Sequence, residues 1–303
     1  MGKDAIGFNP KMPRMKKNSI RRRLLFTSLL LLAFNAAHSQ SSSLLWKITK
    51  EGNSKPTYIF GTIHAIPTSQ LFFPDKLQQT VAASEFIALE IDMDNMAELS
   101  TLPSMLMLKD KTIDDLLTQA QKQTVLAYIT DSVGMPYQQM VQFKPMFFIS
   151  LLLPKVVGSS ATSYEQNIMA IAQKKGIPIE GLETVAEQVH AFDQLSLDDQ
   201  IAQLIDLISN MPQARADYQS MLAAYLKQDL EKIEAISVKE SEKYTNFNQV
   251  LIYERNKRWI PKLEEYAGKG GGFIAVGAAH LPGENGVLNL LKSKGYKVEP
   301  VAI

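Results

Sequence analysis

The chain is 303 residues long, 46% hydrophobic and 21% charged, a composition that excludes long-range disorder, collagen and coiled coil. Its 32 basic residues balance 31 acidic ones for a net charge of +1, so nothing in the charge points to nucleic acid as a partner. The absence of cysteine removes disulfides, thiolate zinc sites, iron–sulfur clusters and cysteine nucleophiles together, and leaves any metal to His, Asp, Glu or backbone oxygen.

In chain order, residues 1–39 read as an export signal. Lys16, Lys17, Arg21, Arg22 and Arg23 form a basic run, Leu24 to Phe34 an apolar stretch, and Ala37-His38-Ser39 a small-x-small cleavage site. The apolar stretch falls short of the about 20 residues that a transmembrane helix needs. Cleavage after Ser39 sends the remainder to the periplasm or the exterior, with no membrane span left. That remainder is acidic, because the spare positive charge lies in the signal.

Leu44–Thr49 and Thr57–Phe60 read as a hairpin across the turn-rich Glu51 to Pro56. Pro74–Ser84 reads as a helix and Phe86–Ile91 as a buried strand. Thr112–Thr130 reads as one helix, with Thr112 as N-cap ahead of Asp114 and Asp115. Met146–Leu153, bracketed by Pro145 and Pro154, reads as a buried helix. Tyr164–Lys175 is a helix stopped by Gly176, and Ile177–Leu182 a short strand. Leu197, Ile201, Leu204, Ile208 and Met211 alternate spacings of four and three, the pattern of one amphipathic helix. Helical patterns run on from Pro212 to about Tyr266, broken near Asn246. Phe273–Val276 is a strand, Glu284–Lys294 a helix ended by Gly295, and Tyr296–Val301 a last strand. The expectation is a mixed α/β (α+β) fold, with residues 40–303 as one domain. It has a central sheet and a mostly helical insertion over about 190–266, either a lid or the cover that a sheet face requires.

Three histidines follow the signal: His64, His190 and His280. Two share a local pattern, Gly61-Thr62-Ile63-His64 and Gly277-Ala278-Ala279-His280. Each follows an apolar strand and precedes a proline, Pro67 or Pro282. With 16 glycines and four histidines in 303 residues, chance supplies roughly 0.2 Gly-x-x-His sequences; the chain has two. Gly61 and Gly277 let the backbone turn at a strand end, and the histidine three residues on overhangs the carboxyl edge of the sheet, where α/β proteins bind ligands. On neighbouring strands the two imidazoles enter one cleft, and imidazole is the commonest metal ligand. The competing reading is two structural histidines.

Glu90 ends the apolar run Phe86–Leu89 and completes a two-histidine, one-carboxylate set, an open metal site, unless the strand simply emerges into solvent there. Asp92 has the same strand parity and is a reserve ligand. Arg255 and Asn256 lie on a helix with Trp259. Arg255 reads as a surface ion pair, with an oxyanion or carboxylate partner as the alternative. Glu183 and Glu187 read as capping and surface residues, and His190 as structural. The chain carries no Gly-x-Ser-x-Gly elbow, Walker loop or His-Glu-x-x-His helix.

These residues resemble the TraB/GumN family, related to the Tiki metalloproteases. The resemblance runs over about residues 44–301, from Leu45-Trp46-Lys47-Ile48 and Gly61–His64, through Glu90, Lys144-Pro145 and Gly181-Leu182-Glu183-Thr184 with Glu187-Gln188, to Arg255-Asn256 and Val276–Gly283. It implies a hydrolase with a divalent metal (manganese, cobalt or zinc) acting on peptide bonds. It implies His64, Glu90 and His280 at the metal and makes Glu90, Arg255 and Asn256 candidates for catalysis, with Glu183 and Asp92 as a second tier. The expected function is an exported metal-dependent hydrolase of peptide or small-molecule substrates. The alternatives are a metal-independent histidine esterase or amidase, and a non-catalytic peptide- or signal-binding protein.

Overall fold

Phe86–Leu89 is apolar through four consecutive residues, and a strand can be so only where both of its faces are covered. The computed structural model, which describes residues 43–303 apart from positions 53–54, 135 and 159, supplies the cover. The expected signal at 1–39 lies outside the described residues. Six strands form one sheet: β1 (Leu45–Thr49), β2 (Thr57–Thr62), β4 (Phe86–Ile91), β6 (Ile179–Glu183), β7 (Gly272–Gly277) and β8 (Lys297–Val301). Their order is β6-β4-β7-β2-β1-β8. The four strands from β6 to β2 are parallel, and β1 runs antiparallel to both β2 and β8. The mixed α/β class and central sheet expected from the sequence are present. The hairpin β1–β2 pairs Leu45 with Phe60 and Ile48 with Thr57.

Phe86 packs on Tyr266, whereas Phe60 meets Tyr164 and Phe273. Ile87 pairs with Phe273 across β4 and β7, so Phe86 and Ile87 point to opposite faces, as strand geometry requires. The Glu254–Lys269 helix therefore covers one face, with Trp259, Leu263 and Tyr266 buried. The Asp75–Ala82 and Tyr164–Lys175 helices cover the other through Leu77, Val81, Tyr164 and Ile168. The Met211–Leu226 and Leu230–Ser241 helices bury Leu222, Tyr225, Leu230 and Ile233 in the same core. A second apolar cluster joins the Gln119–Tyr128, Pro145–Val157 and Leu197–Ser209 helices through Val125, Phe148, Leu152, Leu204 and Ile208.

Three expected helices differ in detail. Thr112–Thr130 is broken: a 3-10 turn spans Ile113–Leu116, and Thr118 then caps a separate helix with Gln121. Two capping boxes in succession force two starts. Pro154 does not end its helix but sits in the last turn before Gly158. Met211 opens a new helix after Asn210, with Pro212 in its first turn, instead of closing the previous one. The break near Asn246 is there, with Asn246 at φ 58°.

A small ribbon matters for the site. β3 (Ile66–Pro67) pairs antiparallel with β5 (Ala161–Thr162), Ile66 opposite Thr162, and the Thr68 amide donates to Ser160 O at 2.8 Å. The ribbon ties the segment after His64 to the start of the Tyr164–Lys175 helix, which Ser163 caps. Among the described residues no helix is long and apolar enough to cross a membrane.

Candidate active site

The two Gly-x-x-His turns are neighbours because β2 and β7 are. Their register sets Gly61 opposite Val276 and Thr62 opposite Gly277. Gly61 has a packing reason: a Cβ there would stand 2.7 Å from Leu281 Cδ1 and 3.1 Å from Ala278 Cα, so the second turn nests against the first. β4 lies on the other side of β7 and brings Glu90 alongside. The Gly277 amide donates to Glu90 Oε1 at 2.8 Å. That same oxygen stands 3.9 Å from His64 Nε2 and 3.8 Å from His280 Nε2. The sheet edge thus gathers His64, Glu90 and His280.

His280 is buried beneath Trp259, with ring centroids 4.5 Å apart. Its Nδ1 lies 2.6 Å from Asn256 Oδ1. Asn256 Nδ2 donates to the His280 and Asn285 carbonyls at 3.2 and 2.8 Å, which fixes the amide so that Oδ1 must accept. His280 is therefore protonated on Nδ1 and carries its lone pair on Nε2. Burial pushes its pKa down to about 3 against the pull of Glu90.

His64 is the opposite case. Its side chain is 61% exposed and its Nδ1 donates to Glu165 Oε1 at 3.1 Å. Desolvation in the cleft opposes a charge on the ring. The Glu165 hydrogen bond and the Glu90 and Glu165 charges outweigh it and raise the pKa to about 9. Glu165 was invisible to sequence reading, where it is only an acid in the first turn of a capped helix. No signal at that position separates it from an ordinary dipole partner.

Arg255 is buried, not the surface ion pair that its helix pattern suggested. Nε and Nη2 donate to Glu183 Oε1 at 3.0 and 2.6 Å, and Nη2 also donates to Glu90 Oε2 at 2.6 Å. Nη1 donates to Leu251 O at 3.0 Å and lies 3.3 Å from His280 Nε2. Four of its five N–H groups meet oxygen acceptors and the fifth meets His280 Nε2, so an oxyanion or substrate carboxylate would find a donor here only where that nitrogen is bound elsewhere. Glu183 is buried too, and accepts the Trp259 indole N–H at 3.1 Å, which corrects its reading as a capping or surface residue. Glu187 does cap: it closes a box with Thr184. Burial works against a charge on Glu90, but His280, His64 and Arg255 together hold its carboxyl well below the usual range.

Asp92 does not join this group. β4 ends at Ile91, the chain turns, and Asp92 accepts the Asp94 amide and lines an adjacent groove with Glu98, Glu180 and Glu187. The histidine cleft holds about 270 Å³, with Leu89, Ile91, Met93 and Phe192 as apolar walls beside His64, Glu90, Glu165, Gln188 and Arg255.

A family model described as the TraB/PrgY/gumN family matches residues 44–300, which include both Gly-x-x-His turns, Glu90, Glu165, Glu183 and the Arg255–Asn256 pair. The chain belongs to the TraB/PrgY/gumN family. Relatives of this TraB/PrgY/gumN chain include metalloprotease TIKI1 of Homo sapiens, 25% identical over 86% of this chain and 62% of the relative. Metalloprotease TIKI1 of Xenopus tropicalis is 24% identical over 87% and 62%, and metalloprotease TIKI2 of Danio rerio 22% over 85% and 61%. The chain thus spans less than two thirds of the length of these relatives. No solved structure matches it.

A metal, which those relatives' names imply, tests the geometry. Among the described residues no group of three or more His, Asp or Glu side chains is arranged to hold a metal ion. Glu90 nevertheless lies within cation-sharing distance of each histidine taken singly. Donors each about 2.0–2.2 Å from a common cation stand at most roughly 4.2 Å apart, and the 3.8 and 3.9 Å separations fall inside that span. Gly277 keeps the space free. A Cβ there would stand 3.3 Å from Glu90 Oε1, 3.4 Å from His64 Nε2 and 3.5 Å from His280 Cδ2.

Proposed function

We propose that this protein is a metal-dependent hydrolase acting on peptide bonds, with His64, Glu90 and His280 holding a divalent cation. One observation carries the reading: a single carboxylate oxygen faces the Nε2 atoms of both histidines, while the Nδ1 of each is bonded to its own oxygen acceptor. That is the outer hydrogen bonding that metal-ligating imidazoles use. A divalent cation in such a site supplies Lewis-acid polarisation of a carbonyl and a hydroxide-like nucleophile from water near neutral pH.

The chain's own groups divide the work. Glu90 is a ligand and not a general base, because its Oε1 faces both Nε2 atoms and accepts the Gly277 amide while its Oε2 is taken by Arg255. Arg255 and Glu183 hold Glu90 in place and balance its charge. Asn256 fixes the ring of His280. Leu89, Ile91, Met93 and Phe192 give the cleft apolar walls that exclude water from a bound segment. Residues 40–303 act as one domain, exported behind the 1–39 segment, with peptides or small molecules as substrates.

The test is metal content of the purified protein, followed by peptide hydrolysis with manganese, cobalt or zinc. Near-stoichiometric metal and activity, both lost in His64→Ala and His280→Ala, are expected. A folded double variant with undiminished activity would sink the proposal.

The His64–Glu165 pair favours a second reading, a metal-free acid–base dyad in an ester or amide hydrolase. Activity that survives exhaustive chelation but is lost in His64→Ala would select it.

A further inference from the structure

The geometry points to Glu165, steadied by Thr62, as the positioning residue for His64. This inference rests on the metal-site reading above and assigns the orientation of one of its two imidazoles. The two histidines are held very differently. His280 is walled in by Trp259 and tied to an amide. His64 stands on a turn with most of its ring in solvent, so packing does not choose its rotamer. A ring that free loses side-chain entropy when it is placed, and only a directed bond can hold Nε2 toward Glu90.

Glu165 supplies that bond. Its side chain is 13% exposed, and its Oε1 accepts two donors, the Thr62 hydroxyl at 2.7 Å and His64 Nδ1 at 3.1 Å. Thr62 lies two residues before His64, so both donors come from the same turn and close a loop through one oxygen. An ionised oxygen suits this doubly donated position, since charge-assisted hydrogen bonds are shorter and stronger. The β3–β5 ribbon sets the distance. Ile66 pairs with Thr162, which places Glu165 over the ring although 101 residues separate it from His64 in sequence. Glu165 meets Nδ1 and Glu90 faces Nε2, so the two carboxylates grip opposite edges of the imidazole. Glu165 thereby fixes the Nδ1–H form and leaves Nε2 to the cleft. It touches neither the cation position nor the cleaved bond, and acts through His64.

Two readouts test this. The first is the ring nitrogen chemical shifts of His64 at pH 10, where the ring is neutral, in metal-free protein. Wild type is expected to carry its proton on Nδ1, and Glu165→Ala to carry it on Nε2, facing Glu90. The second is a Co²⁺ titration followed by visible absorbance. Glu165→Ala should weaken Co²⁺ by roughly 10- to 100-fold, the usual effect of losing an outer partner of a metal ligand. Glu165→Gln should recover part of the loss, and Thr62→Val should lose less. In His64→Ala, removing Glu165 as well should add nothing, because it acts through that ring. Folded Glu165→Ala protein with wild-type ring shifts and Co²⁺ affinity overturns the assignment, as does a full additive loss in the double variant. If wild type binds no Co²⁺, the metal-site reading fails by itself, and the ring shifts alone decide the role of Glu165.

Discussion

Asn256 Oδ1 stands 2.6 Å from His280 Nδ1, and the same side chain spans the His280 and Asn285 carbonyls. One buried amide thus fixes the orientation of a histidine and ties down the turn that carries it. It can do so because an amide both donates and accepts, which neither a carboxylate nor an aliphatic side chain does.

Asn256→Ala and Asn256→Asp separate those two jobs. Alanine leaves a buried carbonyl, a part-buried one and a buried imidazole N–H unpaired, at about 1–3 kcal/mol for an unsatisfied buried group. Aspartate keeps an acceptor for Nδ1 but loses both donations and adds a buried charge, so it should cost at least as much. Urea unfolding of the metal-free variants measures both. Wild-type stability in either would show that the amide is dispensable.

The strands, the Gly-x-x-His turns and Glu90 were legible because each is a local signal: an apolar run, a glycine at its end, a polar residue where an apolar run stops. The Met211 boundary and the broken Thr112–Thr130 helix misled for a related reason, since apolar spacing continues across a cap when neighbouring helices share one core face. Arg255 was ambiguous because a helix pattern gives its face and not what covers it. Only the fold shows Glu90 and Glu183 closing over it, 165 and 72 residues away. Glu165 was not legible at all. Its meaning lies in a two-residue ribbon, Ile66–Pro67 against Ala161–Thr162, with no periodicity to betray it.

Arg255→Met tests the buried ion cluster. The arginine neutralises Glu90 and Glu183 together through Nη2. Removing one member of a buried ion pair costs about 3–5 kcal/mol, because the remaining charges stay uncompensated. Adding Glu183→Gln to Arg255→Met should recover part of that loss. Unfolding midpoints of the single and double variants decide it, and a double variant no more stable than the single one would contradict the charge argument.

The two glycines of the motif should fail in different ways. A Cβ at Gly61 meets Leu281 at 2.7 Å, so Gly61→Ala overpacks the core, at about 1–3 kcal/mol. Gly277 is at φ −53°, a conformation that alanine accepts. Its Cβ would enter the space among Glu90, His64 and His280. Gly277→Ala should therefore unfold near the wild-type midpoint yet bind Co²⁺ more weakly. Equal Co²⁺ affinity in Gly277→Ala would show that the space between the three side chains is not where the cation goes.

The histidines give the metal-free protein a two-armed pH profile. His64 titrates above its ordinary value of 6.5, at about 9. Its contribution is complete below pH 6.5 and is lost as pH rises through 9. His280 titrates below 6.5, at about 3, so its contribution is complete above pH 6.5 and is lost as pH falls toward 3. Glu90, held beneath the ordinary 4.5, adds a further loss only when the pH falls under that value. Thermal midpoints in the presence of a chelator should therefore be highest near pH 6.5. His64→Gln should flatten the side between pH 6.5 and 9. His280→Gln should flatten the side between 6.5 and 4.5 and leave the steeper fall below it. Cation affinity should follow the alkaline arm in the opposite sense, increasing up to about pH 9, because a proton on His64 Nε2 must leave before that nitrogen can bind a cation. An unchanged alkaline arm in His64→Gln would assign that arm to another group and remove the electrostatic case for the Glu90–His64–Glu165 row.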